Sequence, residues 1–168
     1  MIKRIINFFR NKEKTAFLAG TLFYAGYFPV APGTVGSLVS LPVIFIVCYY
    51  FGTLGLLLLV LISFIVSLIC VKEILLHTEH DPSYVVIDEF VGQSVTFLAI
   101  SGVLKNNFNY WWLYIAGFLL FRLFDVTKPF PVNYADKKMN NASGVVLDDV
   151  FAGIYAGICL YLLFLLLK

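Results

Sequence analysis

Two apolar stretches of this chain each open on a pair of adjacent carboxylates. Val85-Val86-Ile87-Asp88-Glu89 aligns with Val145-Val146-Leu147-Asp148-Asp149, sixty residues later. A carboxylate at the centre of a bilayer costs about 2.5–3.5 kcal/mol on insertion scales, so such acids need partners or a purpose. At a helix start the dipole favours negative charge, and one pair is accounted for as a solvated helix end. Two matched pairs ask for more. Four carboxylates brought together repel unless a cation lies between them, and all-oxygen donors suit Mg²⁺ or Mn²⁺ rather than zinc or copper. Asp88, Glu89, Asp148 and Asp149 are therefore the candidate metal ligands. Adjacent helical residues point about 100° apart, so one acid of each pair should face the metal with the other beside it. One turn deeper, Gly92 and Ala152 are small enough for the two helices to approach closely.

Two further stretches could handle phosphate. In "FRLFDVTKPFP", Arg122 and Lys128 flank Asp125. Cations at a helix C-terminus complement the dipole, yet beside acidic pairs they also suit a phosphate, with arginine offering a bidentate fork. In "APGTVGS" a tight turn runs into a helix start, whose N–H groups form an anion site. Pro32, Gly33, Thr34 and Ser37 belong to it, with Thr34 or Ser37 as the expected cap. His77 and His80 are the only histidines, and they read first as solvated groups beside a loop. His80 is also a candidate for proton transfer, and Asp81 either caps that loop or approaches the site.

Positioning these groups falls to membrane helices. The chain of 168 residues is 61% hydrophobic and only 13% charged, with a mean hydropathy of +0.91. Those values indicate one integral membrane domain, and a net charge of +2 gives no reason to expect nucleic acid. Cys48, Cys70 and Cys159 lie in apolar runs without ligand spacing. No charged residue or histidine occurs from Thr15 to Val71, but "YFPVAPGTVGS" and Gly52 interrupt that run. Five spans are expected: Val35–Phe51, Thr53–Val71, Tyr84–Leu104, Tyr110–Phe124 and Val145–Leu167, preceded by a short re-entrant or interfacial helix in Thr15–Phe28. A cytoplasmic basic N-terminus (residues 1–14) then leaves only Lys105 and Lys168 on the far side, as the positive-inside rule favours. The acidic pairs and both polar loops all meet the cytoplasmic surface in this arrangement.

The motifs "APGTVGS", "DPSYVVIDEFVGQ", "FRLFDVTKPFPV" and "GVVLDDVFAG", in this order, resemble the phosphatidylglycerophosphatase A family, over about Phe28 to Gly157. The resemblance implies an all-α, Mg²⁺-dependent phosphatase of the bacterial inner membrane that hydrolyses phosphatidylglycerophosphate. Carried over by position, its acidic residues fall on Asp81, Asp88, Glu89, Asp125, Asp148 and Asp149, its basic ones on Arg122 and Lys128, and its loop on Pro32, Gly33, Thr34 and Ser37. One departure is the "MNNASG" turn, which keeps only Gly144 where the family is glycine-rich. The mechanism expected is catalysis by Asp88, Asp148 and Asp125, with either water or Asp125 attacking phosphorus. A small cation-coupled transporter using the acids as an ion site is the rival, but it would want polar residues through the depth of its spans and two symmetric halves.

Overall fold

A computed structural model describes residues 12–78, 82–139 and 141–168. Residues 12–20 are helical (α1). They are followed by α2 (Pro32–Leu75), α3 (Ile87–Thr96), α4 (Ser101–Leu104), α5 (Trp112–Thr127), α6 (Val132–Lys138) and α7 (Ala142–Leu167). No strand occurs among the described residues, as the all-α expectation requires. Three segments are long and apolar enough to cross a membrane: Pro32–Leu75, Ile87–Leu104 and Ala142–Leu167.

The longest of them is not straight. Forty-four helical residues would reach about 66 Å, yet Pro32 and Leu75 line the same cavity. Gly52 makes this possible with φ 62° and ψ −145°, a conformation that only glycine adopts freely. The apolar run therefore folds back on itself at the break expected from the sequence.

The outer surface is largely apolar, and several uncharged polar side chains are enclosed. Ser37, Ser40, Gln93, Ser94, Thr96 and Ser101 are fully buried, while Leu54, Leu58, Ile62, Leu119 and Leu162 are exposed. An apolar exterior, with these polar side chains kept inside among apolar ones, suits lipid as solvent. Ile87–Leu104 has the lowest mean hydropathy of the three segments, 1.3 against 3.1 and 2.5, and it is the most enclosed by protein, at 67% buried. Its neighbours take the place of lipid. The crossing of α3 with α7 is tight because both carry glycine there: a Cβ on Gly92 would lie 2.5 Å from the Asp149 carbonyl oxygen, and one on Gly153 would lie 2.3 Å from that of Gly92.

Three expectations change. Thr15–Phe28 is not one helix: α1 ends at residue 20, and Leu22, Phe23 and Tyr24 turn with φ of 45°, 55° and 70° before a 3₁₀ turn at Ala25–Tyr27. Thr21 holds the turn locally, its Oγ1 accepting from the Tyr24 N–H at 3.1 Å, and just beyond it the chain meets Tyr84. Gly26 presses on its carbonyl and Tyr27 stacks on its ring at 5.3 Å. Neither Thr34 nor Ser37 caps α2. The cap position is Ala31, without a side-chain hydrogen bond, and Pro32 starts the helix where its missing N–H costs nothing. The second polar loop contains the unforeseen helix α6. Asn141 caps α7 by accepting from the Gly144 N–H at 3.0 Å, and a Cβ on Gly144 would strike the Met139 carbonyl, which is why this turn keeps that one glycine.

Candidate active site

At the end of the bundle where α2 begins and ends lies a cavity of about 590 Å³. Its wall includes Pro32, Gly33, Asp88, Glu89, Arg122, Asp125, Lys128, Asp148 and Asp149, so nine of the residues singled out in the sequence meet there. The two acidic pairs have the same local build. Asp88 Oδ1 accepts from the Glu89 N–H at 3.2 Å, and Asp148 Oδ1 accepts from the Asp149 N–H at 2.9 Å.

Their roles nevertheless separate. Asp88, Glu89 and Asp149 each offer an oxygen, and the three lie within 4.8 Å of one another. Asp148 is not one of that triad, and its Oδ2 accepts from the Lys128 ammonium at 2.8 Å. Asp125 accepts from Arg122 Nη1 at 2.5 Å and lies close enough to act electrostatically on Glu89, Asp148 and Asp149. Glu89 and Arg122 approach each other at Gly33, where a Cβ would lie 2.2 Å from Glu89 Oε1 and 3.2 Å from Arg122 Nη1. The backbone of the α2 start thus forms part of the wall because glycine occupies it.

Lys128 ends α5 in a left-handed conformation, φ 44°, and also donates to Asp136 of α6. Burial on its own would push the ammonium pKa down, but hydrogen bonds and charge from Asp136 and Asp148 outweigh it and raise the value. Asp136 is the residue that sequence reading missed. It sits in a stretch read as polar loop, and only the packing of α6 on α7 brings it to Lys128.

The remaining candidates are less central. Ser37 is buried and donates to the Gly33 carbonyl at 2.8 Å, and Thr34 is half-buried; neither lines the cavity. His77 lies 3.6 Å from Glu13 on the surface. His80 and Asp81 fall outside the described residues.

The sequence profile of a family described as Phosphatidylglycerophosphatase A matches residues 18–164. Proteins named phosphatidylglycerophosphatase A are similar, from Haemophilus influenzae (36% identity, 83% of this chain and 82% of that one) and Escherichia coli (32%, 83% and 77%). A Bacteroides thetaiotaomicron protein with the provisional name phosphatidylinositol-3-phosphatase is 37% identical over 83% of this chain and 87% of its own. No solved structure matches the chain.

Proposed function

The chain belongs to the phosphatidylglycerophosphatase A family, and from that premise we propose that it removes the terminal phosphate of phosphatidylglycerophosphate, giving phosphatidylglycerol and inorganic phosphate. The observation that carries this reading is one cavity holding a carboxylate triad beside Arg122 and Lys128. A phosphomonoester dianion needs positive charge around its oxygens, and acids alone would repel it. Family membership sets aside the cation-coupled transporter.

The donor set fits a hard divalent cation, since three carboxylates and no nitrogen or sulfur make up the triad. Asp88, Glu89 and Asp149 would hold Mg²⁺, which when bound neutralises and polarises the phosphate. Lys128 binds the equatorial oxygens as a point charge, and Asp148 keeps its ammonium turned into the cavity. Arg122 offers its fork from the other side, steadied by Asp125. Asp125, paired with Arg122, either takes the proton of a water that displaces the lipid alkoxide from phosphorus, or displaces that alkoxide itself to give an aspartyl phosphate that water then hydrolyses to inorganic phosphate.

Five crossings are the finer topology we favour, in the inner membrane of a bacterium. The two arms of α2, the Ile87–Leu104 segment, α5 and α7 supply them. The reversal at Gly52 supports the first two. The 16 residues of α5 reach about 24 Å, and the polar groups at its ends complete the crossing. Lys72, Arg122 and Lys128 then share one side with the cavity, which faces the cytoplasm, while Lys105 lies on the other. The turn at residues 22–30, with Phe23, Tyr24 and Phe28 exposed, lies in the cytoplasmic interface.

The test is phosphate release by the purified protein in detergent, with Mg²⁺ and with EDTA, from phosphatidylglycerophosphate and from phosphatidylinositol 3-phosphate. Release from the first substrate, abolished by EDTA, is expected. Release from the second alone would keep the lipid phosphatase and replace the headgroup. No release from either in Mg²⁺ would sink the reading.

A further inference from the structure

The chemistry above leaves Gln93 unused. It is fully buried, and neither Nε2 nor Oε1 has a hydrogen-bond partner. Buried amides are nearly always paired, because an unmade bond leaves the whole desolvation cost standing. Gln93 lies one turn below Glu89 on the same face of α3, and Phe97 one turn below that. The face looks toward α5 at both ends. Glu89 meets Arg122 across Gly33, and a Cβ on Gly117 of α5 would lie 2.6 Å from the Phe97 ring.

Two more buried polar atoms here lack partners, Glu89 Oε2 and Arg122 Nε. They complement the amide. A carboxylate oxygen only accepts, a guanidinium N–H only donates, and a glutamine does both. The Arg122 Nη1 is already committed to Asp125.

We infer that Gln93 is a positioning residue that, in the loaded site, donates from Nε2 to Glu89 Oε2 and accepts at Oε1 from Arg122 Nε. It ties a cation ligand to the phosphate-binding guanidinium, so that filling one half of the site orders the other. The inference rests on the roles given above to Glu89 and Arg122.

Gln93→Met keeps the length of the side chain and deletes both polar atoms. The detergent-solubilised protein is titrated with Mn²⁺, its thermal unfolding is followed, and phosphate release from phosphatidylglycerophosphate gives kcat and KM. The variant is expected to unfold no earlier than wild type in EDTA. Its Mn²⁺ midpoint should rise roughly 10- to 100-fold, the usual effect of losing a partner of a metal ligand, and its KM should rise with it. Gln93→Glu keeps an acceptor for Arg122 and loses the donor for Glu89, so KM should recover while the Mn²⁺ midpoint does not. A Gln93→Met protein with wild-type midpoint and KM overturns the inference. So does one that unfolds early in EDTA yet answers Mn²⁺ normally, because a packing role gives that result. If the wild-type protein binds Mn²⁺ but releases no phosphate, the proposed function fails, and the midpoint shift still decides on Gln93.

Discussion

Gly33 and Gly36 lie three residues apart at the start of α2, and alanine at each should do opposite things. A Cβ at Gly33 would lie 2.2 Å from Glu89 Oε1, whereas at Gly36 it would lie 2.7 Å from Val86 Cβ and 3.1 Å from the Val86 carbonyl oxygen. Gly33 is helical, so alanine there is favoured by about 0.5–1 kcal/mol on propensity alone. The clash must then be relieved by the carboxylate, the free end of a flexible side chain. Glu89 has to retreat by about 1 Å, and a misplacement of that size costs roughly 10²-fold in rate. Gly33→Ala should therefore lower kcat/KM about a hundredfold, or about 2.7 kcal/mol of transition-state stabilisation. Its unfolding temperature in EDTA should stay at or above the wild-type value.

At Gly36 the obstacle is a buried valine and its backbone, neither of which can swing away. Overpacking of that kind costs about 1–3 kcal/mol, so Gly36→Ala should unfold several degrees early while each folded molecule keeps most of its activity. The assay pairs phosphate release per folded molecule with thermal unfolding of the same sample. Wild-type kcat/KM in Gly33→Ala would refute the placement of Glu89 against this loop. A Gly33→Ala protein that unfolds as early as Gly36→Ala would refute the separation of site from scaffold.

Two other outcomes follow from the backbone and the charges. Gly52→Ala forces a side chain into a conformation that costs of order 1–3 kcal/mol, and it should lower the unfolding temperature while leaving KM unchanged; a neutral effect would mean that α2 does not reverse there. Lys128 has its pKa raised on folding, so its contribution to stability is complete below the unfolded value of about 10.4 and fades only as pH climbs through the higher folded value. The ion pairs are partly exposed and worth about 1 kcal/mol at most, so Lys128→Met should lower the unfolding temperature by about 2–4 °C, equally at pH 7 and pH 9. A gap that narrows between those two pH values would show an ammonium that titrates too early.

The acidic pairs were legible in the sequence because charge in an apolar segment is costly enough to demand a reason, and their place near helix starts follows from the same cost. The break at Gly52 was legible because glycine is a weak helix former inside a run that is otherwise too long for one span. The left-handed turn at Leu22–Tyr24 was not, since none of those residues favours it and Tyr84, which stacks on the chain just beyond it, is far away in sequence. Nor could spacing say which acid answers to which cation. Asp136 reaches Lys128 only through the docking of α6, and Gln93 declares itself only by being buried without a partner.

The matched pairs also show how one local structure yields two chemistries. In each, the leading aspartate has an oxygen held by the next residue's N–H, so the backbone build cannot decide what the pair binds. The deciding element is α5, whose C-terminal half and cap serve both pairs. Arg122 lies within the helix and reaches the Glu89 side, while Lys128, six residues on, has left the helical path at φ 44° and reaches Asp148. Lys128 adopts this left-handed conformation where its ammonium is tied to two carboxylates. By drawing Asp148 to Lys128, that turn leaves Asp88, Glu89 and Asp149 as the triad. The division of four similar acids into a carboxylate triad and an ammonium partner therefore follows how α5 ends.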